Sequence, residues 1–284
     1  MKKICIVEFD RFENNQPVGS SATFEELIHA LLHSFHDIGY QVNYKRNQLD
    51  SNSMNILLGV HRLFYSFENI KFKENYCVLN LEPLDEKIYQ EEGKHTIIRF
   101  SRYLNFLKNS KVIDYSYSNI EILKKFHSNS ELFKFGFFDF NKNYLKTTPN
   151  NLYIFYGNCG DRRTKIFTKL INEEKLPINI LHNIWGIYRD HEILNSKGII
   201  NIHRLENVPL EIYRIWHSLC LGKPILSEKG SDKKLDNDYS DYIFFANDPR
   251  KITANELKIL EAKNNYKKTS FKNNLSNVIR KVDI

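Results

Sequence analysis

The chain alternates short apolar runs with amphipathic stretches, a pattern that is typical of α/β proteins. The apolar run at residues 4–9 predicts a buried strand, and apolar residues recur at helical spacing over 22–36. Further apolar runs predict short strands at 42–44, 55–60, 76–81, 96–98 and 112–114. Alternation on this scale favours a mainly parallel sheet with helices on both of its faces.

The pattern is interrupted between residues 135 and 151, where aromatic, polar and proline residues follow one another without a period. This stretch is typical of an interdomain linker. The alternation then restarts, with strands predicted at 152–156 and 178–181 and helices near 162–172 and 190–196. The sequence therefore predicts two α/β domains, an N-terminal one at 1–146 and a C-terminal one at 147–284.

The stretch 197–228 contains the clearest strand-helix-strand unit. The apolar run 198–202 predicts a buried strand, Pro209 suits the first turn of a helix, and residues 222–224 end that helix before a further strand. Polar residues, beginning with His203, directly follow the first strand. In an open α/β sheet, ligands bind at the carboxyl ends of the strands, so we expect part of a functional site here.

Composition and charge exclude several classes of protein. The 284 residues carry a formal net charge of +7, and the four cysteines are widely scattered, which predicts a reduced cytoplasmic protein without a zinc framework. The first residues predict a strand, not a signal peptide, and no apolar run approaches the ~18 residues of a membrane span.

The excess of positive charge lies mainly in the last part of the chain. Residues 251–284 contain eight lysines and arginines against three acids. A solvated helix face explains this surplus, and attraction to anionic lipids at the inner membrane face is the functional alternative. A nucleic-acid partner is not expected, because it would require a basic groove and this charge is concentrated in a tail.

A glycine-containing loop, from Gly157 to Lys165, separates a predicted strand from a predicted helix. Glycine lets the backbone approach a ligand, and the free N–H groups of a helix start attract anions. The nearby Arg162, Arg163 and Lys165 would neutralise a diphosphate. A purely structural turn is the alternative interpretation of this loop.

Two motifs together resemble GT-B glycosyltransferases. Seven residues separate His203 from Glu211, and Arg214 and a Gly-Lys-Pro-Ile-Leu-Ser-Glu run follow, as in the Glu-x7-Glu region of that family. The loop at Gly157 is similar to the G-x-x-x-x-R-R form of bacterial surface-polysaccharide glycosyltransferases. The resemblance implies that Glu211 binds the ribose of a nucleotide-sugar. His203, which replaces the first glutamate, would face the donor sugar or phosphate.

The same resemblance implies two Rossmann-like domains that face a cleft. It also implies metal-independent transfer of a sugar from a nucleotide-sugar, a substrate and not a cofactor, to a glycan, lipid-linked or protein acceptor. Gly157 and Asn158, with the three basic residues of the loop, would contact the diphosphate. Trp185 would flank the nucleobase or sugar, or else cap the core. The Asp-Asn-Asp sequence at 236–238 has the form of a metal-binding DxD motif, but its charged surroundings indicate a solvated loop.

Transfer with inversion also needs a general base on the acceptor side. Asp10, His61 and Glu82 follow predicted strands of the first domain, and we favour Glu82 and Asp10. The polar loop 16–21 would suit contacts with the acceptor or the diphosphate. Three alternatives stay open at this stage: an inactive binding or assembly partner, a sugar epimerase with the same fold, and a transferase that modifies nucleic acid.

Overall fold

A computed structural model describes residues 2–13, 16–18, 21–67, 69–126, 128–141, 147–148, 150–259 and 266–284. Parts of the predicted loop at 16–21, of the linker at 135–151 and of the basic tail lie outside these described residues. The chain forms two compact units, Met1–Gly136 with Ser270–Ile284, and Phe137–Thr269. Each unit contains its own parallel sheet, as the sequence pattern predicts.

The first unit is built on a six-stranded sheet in the order β4-β1-β5-β6-β7-β8, with every pair of neighbouring strands parallel. A short antiparallel hairpin, β2-β3, follows β1. Its elements are β1 (Lys3–Glu8), β2 (Arg11–Glu13), β3 (Gln16–Val18), α1 (Glu25–Asp37), β4 (Gln41–Arg46), β5 (Met54–Leu58), β6 (Tyr76–Asn80), α2 (Lys94–Lys108), β7 (Val112–Asp114), α3 (Tyr117–Lys124) and β8 (Ser130–Leu132).

The strand predicted at 96–98 is wrong, because these residues lie inside helix α2. Thr96, Ile97 and Ile98 are β-branched and favour strands by themselves. The helix is decided by residues further along, since Phe100, Tyr103, Phe106 and Leu107 are buried at helical spacing. Packing of this longer stripe overrides the local preference.

The second unit has a five-stranded parallel sheet in the order β10-β9-β11-β12-β13. Aliphatic and aromatic side chains from the strands and from α4 pack into one core, which includes Phe155, Phe167, Ile200 and Leu226. The elements are β9 (Tyr153–Tyr156), α4 (Asp161–Asn172), β10 (Ile178–Leu181), α5 (Gly186–Asn195), β11 (Gly198–Asn201), α6 (Ile212–Cys220), β12 (Ile225–Glu228), α7 (Lys233–Tyr239), β13 (Ile243–Ala246) and α8 (Ala254–Ile259).

The last helix, α9 (Phe271–Lys281), belongs to the first unit, which corrects the predicted boundaries. Its amphipathic stripe is buried there, and the Phe271 ring meets the Phe133 ring edge-on at a centroid distance of 5.1 Å. A side chain at Gly136 would lie 2.5 Å from the Ser270 carbonyl carbon, so the outgoing and returning segments touch. The first unit thus consists of the chain up to Gly136 and of the C-terminal segment from Ser270 onwards.

Each sheet contains one point at which the strand order reverses. In the second unit, the chain passes from β9 to β10 on one side and then returns to place β11 on the other side of β9. In the first unit, β4 and β5 flank β1 in the same way. Ligands of open α/β sheets bind at such points. Among the described residues, no helix is long and apolar enough to cross a bilayer.

Candidate functional site

The loop after β9 is open and has unused backbone donors. Gly157 has φ 126°, in a region that favours glycine, and Asn158 is exposed. Within the described part of the chain, the amide N–H groups of Asn158, Cys159 and Gly160 donate to no protein acceptor. A Cβ atom at Gly160 would meet nothing within 4 Å. The loop therefore offers amides to an anion, at the start of helix α4.

Arg163 connects this loop to the rest of the site. Its guanidinium donates to the Asn158 carbonyl from Nη1 and to the Ile202 carbonyl from Nε, both at 2.8 Å, and to Glu211 Oε2 from Nη2 at 3.2 Å. Burial, followed by the charge of Arg214, lowers the pKa of Arg163 to about 9. All these contacts are internal, so Arg163 links the loop to Glu211, and its predicted contact with a diphosphate must compete with these bonds.

Glu211 lies immediately before helix α6 and has one carboxylate oxygen engaged. Oε2 accepts from Arg214 at 2.7 Å and from Arg163 at 3.2 Å, and it lies 3.4 Å from His203 Nδ1. Burial alone would raise the pKa of Glu211, but Arg214, His203 and Arg163 together hold it well below its usual range. In the described residues, no partner contacts Oε1. Glu211 is therefore an ionised carboxylate with one oxygen available.

Arg162 is also engaged internally, by an acid that the sequence analysis missed. Both terminal nitrogens of Arg162 donate to the Glu228 carboxylate, one of them at 3.0 Å, and Nη1 also reaches the His203 carbonyl at 2.8 Å. Glu228 accepts in addition from the His203 backbone N–H at 3.0 Å. The position of Glu228 at the end of a buried strand was the available signal. The predicted role of Arg162 on a diphosphate must compete with this ion pair.

His203 is buried, with only 2% of its surface exposed. An ionised carboxylate only accepts hydrogen bonds, so His203 Nδ1 must carry the proton that faces Glu211. His203 Nε2 is buried and has no hydrogen-bond partner among the described residues. The expected contact of His203 with a donor sugar or phosphate is not supported, because the ring is enclosed and its accessible partner is Glu211.

Two predicted contact residues are exposed at this end of the sheet. Lys165 lies on α4 and meets no charged partner in the part of the chain that the structure describes. Trp185 directly precedes α5 and is 38% exposed. The next residues, Ile187 and Tyr188, are exposed as well. The exposure of Trp185 favours a ligand-flanking role over capping of the core.

In the first unit, hydrogen bonds to both carboxylate oxygens fix the side chain of Asp10. Arg46 donates to its Oδ1 and Asn47 donates to its Oδ2, both at 2.7 Å, and the Asp10 side chain is 1% exposed. Burial would raise the pKa of Asp10, but the hydrogen bonds from Arg46 and Asn47 outweigh it and lower the pKa. A buried carboxylate with both oxygens engaged is a poor proton acceptor, so a role for Asp10 as a general base is not supported.

Glu82 and His61, by contrast, are brought together. His61 Nε2 lies 3.3 Å from Glu82 Oε1, and both side chains are partly exposed. Burial lowers the pKa of His61 against the opposing charge of Glu82, which favours a neutral ring. The Glu82 carbonyl accepts from Asn80 Nδ2 at 2.8 Å and from Asn119 Nδ2 at 2.9 Å. This pair lies at the carboxyl ends of β5 and β6.

The Asp-Asn-Asp segment is not a solvated loop, because it lies within helix α7. Asp236 Oδ2 accepts from the Gly230 N–H at 2.8 Å. Burial raises the pKa of Asp236 to about 6. Asp236 therefore packs against the chain before the helix, whereas Asn237, between the two acids, is exposed.

The whole fold is similar to that of solved glycosyltransferases. HepE of Anabaena, solved in complex with UDP and glucose, matches with a TM-score of 0.56 and 11% identity over 98% of this chain and 95% of its own. AviGT4, a glycosyltransferase involved in avilamycin A biosynthesis, matches with a TM-score of 0.51 and 7% identity over 100% and 97%.

Comparison of the sequence with known families and proteins says less about this chain than the comparison of folds. No family model matches the chain. An uncharacterised protein of Acanthamoeba polyphaga mimivirus is 30% identical over 147 residues, which are 50% of this chain and 48% of that protein. The chain thus matches about half the length of this curated relative. With its two parallel Rossmann-like sheets and its match to solved glycosyltransferases along nearly its whole length, the chain has the GT-B fold.

Proposed function

We propose that this protein is a glycosyltransferase that binds a nucleotide-sugar at the β9/β11 reversal point of its second sheet. One observation carries the proposal. Arg163 contacts the Asn158 carbonyl and the Glu211 carboxylate with the same guanidinium group. Unused loop amides and a free carboxylate oxygen therefore lie within the span of one side chain. A nucleoside diphosphate needs this pair of groups, since it presents an anion beside a ribose diol.

Each group then has a defined role. Glu211 Oε1 accepts hydrogen bonds from ribose hydroxyls, and the amides of residues 158–160 meet the diphosphate together with Lys165. Trp185 flanks the nucleobase or the sugar. The donor is a substrate, and the proposed transfer is metal-independent, with amides and basic side chains stabilising the leaving diphosphate. The complex of HepE with UDP and glucose supports this choice of donor class.

For the acceptor, a glycan, lipid-linked or protein hydroxyl, we propose the His61–Glu82 pair as the proton-accepting group. With His61 neutral, Nε2–H can donate to Glu82, which leaves the Nδ1 lone pair as a base. Glu82 would orient the ring and stabilise the imidazolium that forms. This pair replaces Asp10 as the preferred candidate for an inverting transfer.

Ligand-dependent thermal unfolding tests the donor site. The wild type and Glu211→Gln are compared for binding of UDP, GDP, CMP, TDP and ADP and of their sugars. Glu206→Gln is the matched control, because Glu206 is an exposed glutamate in the same segment between β11 and α6. Selective binding stabilises the folded protein by about 2.7 kcal/mol at a ligand concentration 100 times Kd. We expect a response to one nucleotide that is weakened in Glu211→Gln and kept in Glu206→Gln. No response to any nucleotide would remove the proposal.

A binding or assembly partner without transfer is the second candidate. The observation that favours it is the enclosed His203, which occupies the position of a donor-contacting glutamate in the resemblance. Incubation with the sugar form of the responding nucleotide separates the two candidates. A transferase releases the free nucleotide in the presence of acceptor or, slowly, by hydrolysis, whereas a binding partner returns the donor intact.

A further inference from the structure

The turn that contains Glu82 rests on three buried polar side chains of the first unit. They are Asn80 at the end of β6, Asp114 at the end of β7 and Asn119 in α3, and none of them is more than 1% exposed. Both asparagine amides contact the Asp114 carboxylate. The three side chains therefore form one buried hydrogen-bond network beneath the candidate base.

Asp114 determines which way the two amides point. Its Oδ2 accepts from Asn80 Nδ2 at 2.6 Å, and each of its oxygens lies 3.1 Å from Asn119 Nδ2. The backbone N–H of Ser116 donates to Asp114 Oδ1 at 2.8 Å. An ionised carboxylate only accepts hydrogen bonds, so both amides must turn their NH2 groups towards Asp114 and their oxygens away from it.

The two oriented amides hold the backbone around Glu82. Nδ2 of Asn80 and Nδ2 of Asn119 both donate to the Glu82 carbonyl, at 2.8 Å and 2.9 Å. The amide oxygens accept from backbone N–H groups, that of Asn80 from Glu82 at 3.2 Å and that of Asn119 from Leu84 at 2.8 Å. Pro83 restricts Glu82 further, because a residue before proline favours an extended backbone. The backbone position of Glu82 therefore depends on both amides.

The same network also reaches His61. Glu82 Oε1 lies 3.3 Å from His61 Nε2. The Tyr103 hydroxyl donates to Asn80 Oδ1 at 2.7 Å, and the Tyr103 ring meets the His61 ring at a centroid distance of 6.1 Å. The network thus supports the carboxylate of the pair through its backbone, and the imidazole through the ring of Tyr103.

An acid at position 114 lowers the stability of the folded protein. In the part of the chain that the structure describes, Asp114 accepts only from uncharged donors. Burial raises the pKa of Asp114 to about 7, although hydrogen bonds from Asn80, Ser116 and Asn119 oppose the rise. The folded protein therefore loses stability as the pH rises from about 3.8 towards about 7 and this carboxyl ionises. A buried carboxylate that costs stability points to a role other than folding.

We propose that Asp114 is a positioning residue for sugar transfer. By orienting Asn80 and Asn119, it holds Glu82 where the Glu82 carboxylate can orient the proton-accepting ring of His61. The inference rests on the proposed function, because it takes the His61–Glu82 pair as the group that accepts the proton of the acceptor. Asp114→Asn would not preserve the network, since either orientation of the new amide puts its NH2 group against another donor.

The first test requires no substrate. The pKa of His61 is measured from its ring-proton signals in NMR spectra between about pH 4 and pH 8, and His61→Gln identifies those signals. Burial lowers the pKa of His61 and the charge of Glu82 raises it, so Glu82→Gln should lower it further. We expect Asp114→Asn to reproduce roughly half or more of that fall, because Glu82 then no longer stays beside the ring.

The matched control is Ser110→Ala. It also removes a buried hydrogen bond from the first unit, because Ser110 Oγ donates to the Phe106 carbonyl at 2.8 Å. Ser110 makes no contact with the network around Asp114 among the described residues. The pKa of His61 in Ser110→Ala should therefore equal that of the wild type.

Two further variants separate positioning from the loss of a negative charge. Asn119→Ala removes one of the amides that hold Glu82 and changes no charge, and it should lower the pKa of His61 as well. In the Glu82→Gln background, Asp114→Asn should lower this pKa no further, because Asp114 acts through Glu82. If Asp114→Asn does not fold, Asn119→Ala decides the question by itself.

The second test measures turnover of the nucleotide-sugar that thermal unfolding selects, with water as the acceptor. We expect Asp114→Asn to lower kcat for release of the free nucleotide about ten-fold, because the base is misplaced. The KM for the donor should not change, since the groups proposed to bind it belong to the second unit. Ser110→Ala should keep both values.

The outcomes distinguish this inference from the proposed function. The positioning role would be overturned by an unchanged His61 pKa in Asp114→Asn and Asn119→Ala, or by an equal further fall in the Glu82→Gln background. A lowered His61 pKa with wild-type kcat in Asp114→Asn would overturn it too. If no nucleotide binds the wild type, the proposed donor site fails, and the pKa of His61 still shows whether Asp114 positions the pair.

Discussion

The reversal points of the two sheets contain the same chemistry, carboxylates against arginines, but one is closed and the other is open. At the end of β1, Arg46 and Asn47 engage both oxygens of Asp10, whose side chain is 1% exposed. At the end of β11, three donors converge on one oxygen of Glu211 and leave the other without a partner among the described residues. The position of a residue at a reversal point is therefore not enough to predict a ligand site. The side chain must also keep a hydrogen-bonding atom that no other residue uses.

The largest effect on stability should come from replacing Arg163, which links the glycine loop to Glu211 in the open site. We expect Arg163→Met to lower the free energy of unfolding by about 3 kcal/mol, because the buried Ile202 carbonyl, the Asn158 carbonyl and Glu211 lose their donor. Urea denaturation followed by circular dichroism measures this change. Lys165→Met, on the same helix, should be as stable as the wild type. Equal stability of the two variants would show that Arg163 is not an internal link.

The closed site is tested by Asp10→Asn. We expect this change to cost about 2 kcal/mol of unfolding free energy, because a charge-assisted bond to Arg46 is lost in a buried place. Nucleotide affinity of the folded variant should be unchanged, and so should sugar transfer. A stable Asp10→Asn protein that has lost transfer would restore Asp10 as the base and break the comparison.

The pH dependence of stability should reveal Asp236. Folding raises the pKa of Asp236 from 3.8 to about 6, because burial favours the protonated carboxyl. The folded protein is therefore at its most stable below about pH 3.8, and it loses stability as the pH rises towards about 6 and the carboxyl must ionise. We expect this group to remove about 1–2 kcal/mol of unfolding free energy between about pH 4 and pH 6.5. Asp236→Asn should lack this loss, whereas Asp238→Asn should keep it. If the unfolding free energy of all three proteins changes with pH in the same way, Asp236 does not have a raised pKa in the folded protein.

The smallest effect concerns the exposed cation of the open site. Lys165→Ala should weaken nucleotide binding about three-fold at low ionic strength, with no change in unfolding free energy, because exposed charges contribute little to stability. The difference should vanish at about 0.5 M salt, where the Debye length is short. Persistence of the effect at high salt would indicate a direct, desolvated contact.

The sequence predicted the class of fold and singled out Glu211 as a candidate ligand residue, but it did not show which charged side chains pair with one another. The glycine loop was singled out because it lies between a predicted strand and a predicted helix, and Glu211 because it follows His203 by eight positions at the start of a predicted helix. The assignment of Arg162 to a diphosphate overlooked Glu228, which is 66 residues away in the chain. The dismissal of residues 236–238 as a solvated loop overlooked Gly230, whose importance is visible only where two segments meet.

By itself, the sequence determined the alternation of strands and helices, the two parallel sheets and the loop that follows β9, since these depend on periodicity and on residues close together in the chain. The tertiary structure alone decided that α9 returns to the first unit, that Arg162 pairs with Glu228, and that His203 turns inwards. The physical reason is that burial and ion pairing join residues far apart in sequence, and a local pattern carries no information about which charges will meet.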